Sequence, residues 1–263
     1  MKVATPLRRL HLFEFEDFPW FPAAIRDLAT DYLEFLQARF CLHAPAIAVL
    51  SRALETTRAP AVVDLCSGAG GPILAVHDAL RSAGISVPFV LTDKYPHLEA
   101  FRRVSSVDQT GISYREESVD ATRVPNDLPG LRTMFNTFHH FAPAAARAVL
   151  ACAVEARQPI AIVEIPDRVI TTIVPLFLTP VFVAMATPFI RPFRWKRLLW
   201  TYLIPLVPLV CWWDGLVSQL RAYTADEMLE LARGMDEFQW TAGRDPIPKS
   251  AGHITWLLGI PKS

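Results

Sequence analysis

Apolar residues recur at three- and four-residue spacing from 23 to 40, where Ile25, Leu28, Tyr32, Leu33, Leu36 and Phe40 fall on one helical face. A second helix is expected over 45–56, with Pro45 suited to its first turn. Beyond residue 60 the pattern changes. Short apolar runs at 61–65, 87–91, 112–114, 133–136 and 160–164 alternate with helical stretches at 73–82, 97–107 and 143–156. That is the order of parallel strands joined by crossover helices. A helix at 225–234 and strands at 238–241 and 253–258 close the chain. The reading is a seven-stranded α/β sheet ending in an antiparallel hairpin. A helical cap over 1–58 precedes it, and a hydrophobic insertion over 168–213 follows the fifth strand within a domain spanning 59–263.

The insertion is the least ordinary part of the pattern. Residues 169–190 and 198–213 carry no charge, and Arg191, Arg194, Lys196 and Arg197 lie between the two runs. The first run has the length of a bilayer span and the second is short for one. Pro175, Pro180, Pro188, Pro205 and Pro208 break helical continuity, which lipid does not forgive, and the basic turn would sit on the wrong side under the positive-inside rule. An interfacial arrangement meets both objections: the four basic residues on anionic lipid, with Trp195, Trp200, Trp212 and Trp213 at the boundary. An apolar lid, a homodimer interface and a spanning hairpin are the alternatives, in that order.

Composition narrows the partners. Lys+Arg and Asp+Glu balance at 26 each, so no global field favours nucleic acid. Cys41, Cys66, Cys152 and Cys211 are scattered, without the spacing of a zinc site or a disulfide framework. Glu14, Glu16 and Asp17 interrupt what would be a signal core, so no cleaved signal is expected. The expected location is cytoplasmic, peripheral on the inner membrane face where the insertion meets lipid.

The densest chemistry is the turn Asp64-Leu65-Cys66-Ser67-Gly68-Ala69-Gly70-Gly71, which ends a strand and opens a helix. Glycine there lets a ligand approach the backbone, and a helix N-terminus favours an anionic group. A dinucleotide fingerprint needs a third glycine where Ile73 stands, which disfavours a nicotinamide oxidoreductase. The preceding carboxylate suits a cationic ligand. The turn resembles the first motif of class I S-adenosylmethionine-dependent methyltransferases, with Cys66 in place of the first glycine. The resemblance implies a Rossmann-like methyltransferase sheet with S-adenosylmethionine as cofactor, over about residues 60–164. It implies Asp93, followed by Lys94, for the ribose hydroxyls, Asp120 and Ala121 for the adenine, and Asn136, Thr137 and Phe138 lining the transfer site. Asp64, Cys66, Ser67, Gly68 and Gly70 would form the cofactor loop.

Methyl transfer needs alignment, desolvation and, for some acceptors, a base. His139 and His140, at the end of the fourth strand, are the candidate bases. No third ligand stands at metal-binding spacing from them, so no metal is expected. Glu164, which positions an acceptor or pairs with Arg168, joins Trp20, Trp213, Asp214, Arg221 and Tyr223 as candidate substrate residues, the last four in an expected return loop. The expected acceptor is small or lipophilic. A methyltransferase-like adaptor without catalysis is the alternative.

Overall fold

The computed structural model describes residues 6–18, 20–191, 193–248, 250 and 252–262. Its helices in chain order are α1 (Ala23–Phe40), α2 (Ala46–Thr57), α3 (Ile73–Ser82), α4 (Leu98–Ser105), α5 (Pro143–Glu155), α6 (Ile170–Ile173), α7 (Thr179–Ala186), α8 (Trp195–Leu198), α9 (Leu206–Arg221) and α10 (Ala225–Leu231). Its strands are β1 (Val62–Asp64), β2 (Phe89–Leu91), β3 (Ile112–Tyr114), β4 (Leu131–Phe135), β5 (Ile160–Glu164), β6 (Phe238–Pro246) and β7 (His253–Pro261). The chain forms two compact bodies, one from Met1–Phe40 with Pro166–Tyr223, the other from Cys41–Ile165 with Thr224–Ser263.

The second body holds the sheet, in the order β3-β2-β1-β4-β5-β7-β6. The first five strands are parallel, while β7 runs antiparallel to both β5 and β6. Every residue of β1, β4 and β5 is buried, as befits central strands covered on both faces. The last two strands extend past the expected ends to Pro246 and Pro261 because they pair with each other along nine residues each. Strand order reverses between β1 and β4. In open α/β sheets the crevice beyond the carboxyl ends at such a reversal is where ligands bind.

The expected cap boundary at 58 needs correction. Ala46, Val49, Leu50, Ala53 and Leu54 of α2 belong to the core formed with Val62, Ile73, Phe101 and Leu131. Burying the three larger side chains is worth roughly 1.5–3 kcal/mol each, which ties α2 to the sheet.

The first body joins α1 to the insertion. Its core gathers Phe21, Ile25, Leu28 and Tyr32 from the N-terminal side with Val183, Ile190, Val207 and Val210. Between α6 and α9 the backbone proceeds in short helical pieces, and Pro175, Pro180 and Pro188 each occupy a first-turn position of the next piece. Residues expected as a return loop, 212–221, are instead helical within α9. Val207, Val210, Cys211, Asp214, Val217 and Arg221 form one buried stripe along α9, polar at Asp214 and Arg221.

Candidate functional site at the carboxyl edge of the sheet

The loop after β1 is built from left-handed backbone. Cys66, Gly68, Gly70 and Gly71 have φ of +58°, +54°, +98° and +37°. Cys66 therefore adopts the conformation that glycine takes without penalty, which is the physical content of the departure at that position. A Cβ on Gly70 would lie 2.6 Å from Val104 Cγ2, whereas one on Gly68 or Gly71 would meet nothing within 4 Å. The side of the loop carrying Gly68 and Gly71 is thus open to a ligand, and the Gly70 side is closed by α4.

Asp64 ties the loop to β4. Its carboxylate, 3% exposed, accepts from the Ser67 hydroxyl at 2.7 Å and the Thr133 hydroxyl at 2.8 Å. Burial pushes its pKa up to about 7, against the lowering pull of those two donors. Both oxygens are engaged, one within the loop and one on β4, so Asp64 shapes the turn. Thr133 carries no sequence signal that would have singled it out.

Asp93, at the end of β2, closes the loop from the other side. One oxygen accepts from the Gly68 amide at 2.8 Å and the other from the Tyr95 amide at 2.8 Å. A carboxylate offers about four acceptor sites, so capacity for two ribose hydroxyls remains. Lys94 reaches Asp120 at 2.9 Å. That ammonium and the Thr122 groups hold the Asp120 carboxyl down at about 2, and the same contact raises Lys94. Ala121 is buried beside it. Burial, followed by the charges of Asp93, Asp64 and Asp120, pushes the Cys66 thiol up, so Cys66 is a neutral thiol. An open glycine cradle with a carboxylate at its rim fits the adenosyl part of S-adenosylmethionine.

The segment after β4 is a knot of polar side chains. Asn136, at φ +53°, donates from Nδ2 to His43 Nε2 at 2.9 Å and accepts at Oδ1 from the Ile165 amide at 2.9 Å. Burial lowers the pKa of His43 to about 4, partly countered by the Glu164 charge, so its ring is a neutral acceptor. His43 was not legible as part of the site, because it stands alone in a turn ninety residues from Asn136. The Thr137 hydroxyl is buried with no hydrogen-bond partner, and Phe138 is fully buried.

His139 and His140 lie in a 3-10 turn, Phe138–His140, that precedes α5. Glu164, fully buried at the end of β5, accepts from the Phe138 amide at 2.8 Å and is hydrogen-bonded through its other oxygen to His139 Nδ1. The His140 ring lies 4.3 Å from that of His139. Both Glu164 oxygens are engaged by the histidine turn. A carboxylate on Nδ1–H fixes the tautomer whose Nε2 takes a proton.

The remaining candidate substrate residues lie in the first body and grip its own N-terminal segment. Asp214 accepts from the Phe15 and Glu16 amides at 2.8 and 3.3 Å. Arg221 donates to the Leu12 carbonyl at 2.6 Å and pairs with Asp17 at 2.7 Å and Glu14 at 3.2 Å. Trp213 donates to the Phe13 carbonyl at 3.0 Å, and Tyr223 lies under the Arg9 guanidinium at 3.9 Å. Trp20 is 67% exposed and stacks on Phe18. Backbone groups and carboxylates about 200 residues away in the chain bind the polar side chains of this cluster. Within it, burial and then the Asp214 charge raise Glu16 to about 8.

No family model matches the sequence, and no curated protein matches it. Solved structures do. An O-methyltransferase family 2 protein from Planctomyces limnophilus, in complex with apigenin, superposes with a TM-score of 0.55 at 13% identity, over 91% of this chain and 61% of that one. PigF with SAH gives 0.49 at 21% identity, over 94% and 63%. The methyltransferase domain of bacterial CtHen1-CN gives 0.49 at 13%, over 83% and 99%. The chain spans about three fifths of the length of the first two. The likeness to the first establishes the fold: a Rossmann-like methyltransferase sheet.

Proposed function

We propose that this chain is an S-adenosylmethionine-dependent methyltransferase acting on a small, lipophilic acceptor that carries an ionisable hydroxyl. The observation that carries the reading is the grouping, at the β1/β4 strand-order reversal, of an open glycine cradle rimmed by Asp93 with a His139–Glu164 pair. The O-methyltransferase sharing the fold supports a hydroxyl acceptor.

Bound S-adenosylmethionine supplies a methyl group already activated on a sulfonium centre. The protein's task is then to align, to exclude water and to receive the acceptor's proton. Asp93 takes the ribose hydroxyls while its bond to the Gly68 amide keeps the loop in shape. Glu164 holds Nδ1–H of His139, so that Nε2 receives the proton. Asn136, fixed by His43 and the Ile165 amide, lines the same edge. Asp120, tied to Lys94, bounds the adenine side.

Incubating the chain with labelled S-adenosylmethionine and fractionated lipid and aqueous extracts tests the reading. Label should move to a small organic-soluble product and stay behind with His139→Gln. Tight cofactor binding with no transfer to any fraction would instead favour the adaptor reading.

A further inference from the structure

We propose that the helical body formed by α1 and the insertion docks on the surface of an anionic lipid bilayer, lying in the interface without crossing it. The inference deepens the proposed function by naming the phase from which a lipophilic acceptor is taken, but the docking stands independently of the chemistry.

The stretch Ile170–Phe189 behaves as one apolar helix of 20 residues and mean hydropathy 1.9, yet only 22% of its most apolar window is buried. Its inner face supplies Ile173, Thr179, Val183 and Thr187 to the interior. Val174, Phe177, Val181, Met185 and Phe189, at spacings of three and four, form the opposite stripe and are 54–70% exposed. Trp195 and Leu203 continue the apolar surface at 77% and 76% exposed. Soluble monomers seldom show water so continuous an apolar face, and one of this kind marks an interaction site.

Charge selects the occupant. No carboxylate occurs between Asp167 and Asp214. Of the four cations at the turn, Arg197 is buried against Asp31 at 2.5 Å and Arg194 reaches the same carboxylate at 3.3 Å. Arg191 and Lys196 are left, exposed on either side of Phe193 and next to Trp195. Two cations beside an exposed indole and a greasy stripe fit anionic headgroups above acyl chains. A two-fold contact with a second copy would instead set Arg191 and Lys196 against themselves, with no carboxylate in the segment between Asp167 and Asp214 to answer them.

Crossing the bilayer is disfavoured by how the turn is held. Asp31 is on α1, so the Asp31–Arg197 pair fastens the basic turn to a helix that also carries Arg26, Asp27 and Glu34. Driving the turn across would take these charges into hydrocarbon. The second arm, Trp195–Leu203 with Leu206–Arg221, is bent by 75°, and the Tyr202 hydroxyl donates to the Ala184 carbonyl at 2.6 Å, joining the two arms. The arms can thus lie flat as one unit.

The test is flotation of the full chain with vesicles of phosphatidylcholine alone or mixed with phosphatidylglycerol. Binding to S-adenosylhomocysteine is measured on the same samples. The chain should float with the anionic vesicles and much less with the neutral ones. R191E/K196E should weaken this at least about tenfold, and F177S/F189S should abolish it. All substituted positions are exposed, and unchanged cofactor binding reports an intact fold. Equal flotation of wild type and R191E/K196E, or retention after high salt and alkaline carbonate until detergent is added, would overturn interfacial docking. So would a stable dimer by light scattering with no flotation. Flotation by a chain that binds no cofactor would leave this proposal standing and defeat the methyltransferase reading.

Discussion

Nδ1 of His139 is hydrogen-bonded to a Glu164 carboxylate oxygen inside the sheet's carboxyl edge, with both residues buried. If His139 receives the acceptor's proton, His139→Gln lowers kcat for a hydroxyl acceptor by about 10²–10⁴ with little change in KM. Glu164→Gln keeps the shape but offers an amide in place of the carboxylate, and is expected to lower kcat by a smaller factor. The losses should shrink for more acidic acceptors. Steady-state kinetics across an acceptor series reads this out. Uniform losses would mean that the pair only supports the turn.

The loop gives opposite expectations for two neighbouring positions. Gly70→Ala meets both a φ of +98° and Val104 Cγ2 at 2.6 Å, so it should destabilise the sheet body by about 1–3 kcal/mol and weaken cofactor binding. Cys66→Gly removes left-handed strain of about 1–2 kcal/mol while adding about 0.5–1 kcal/mol of unfolded-state entropy. It should be neutral or mildly stabilising. Thermal denaturation of the two variants checks the sign.

The succession of strands and helices was legible because it is a local pattern: short apolar runs alternating with stretches of helical spacing. What escaped was set by distant partners. The partners of Asp214 and Arg221, among them Phe15, Leu12 and Asp17, lie far away in the chain and leave no local trace beside them. A helix over 45–56 was expected, but not that it packs into the core of the sheet. His43 showed no signal at all, since its meaning lies in Asn136.

Asp31 and Arg197 form a mostly buried pair, with Arg197 2% exposed. Asp31→Ala removes the carboxylate from a buried guanidinium and should cost about 3–5 kcal/mol. Arg197→Met removes the buried charge and leaves Asp31 beside Arg194, so its cost should be clearly smaller. Urea denaturation followed by tryptophan fluorescence distinguishes them, and equal costs would contradict the asymmetry.

His43 and Asp64 give the sheet body opposing pH responses. The folded pKa of His43, about 4, is below its usual 6.5, so its contribution to stability is present above about 6.5 and lost as pH falls through 4. The folded pKa of Asp64, about 7, is above its usual 3.8, so its contribution is present below about 4 and lost as pH rises through 7. Between 4 and 6.5 the two slopes oppose. In His43→Gln the stability of this body should fall more steeply as pH rises across that window, and in Asp64→Asn it should rise more steeply. Denaturation at a series of pH values tests both, and parallel profiles for the two variants would refute the assignment.

The central claim is that the β1 turn and Asp93 hold S-adenosylmethionine. Isothermal titration of the chain with S-adenosylhomocysteine and with NAD tests it most directly. The account predicts binding of S-adenosylhomocysteine alone, lost in Asp93→Ala with the fold retained by circular dichroism. Binding of NAD alone, or S-adenosylhomocysteine binding untouched by Asp93→Ala, would contradict it.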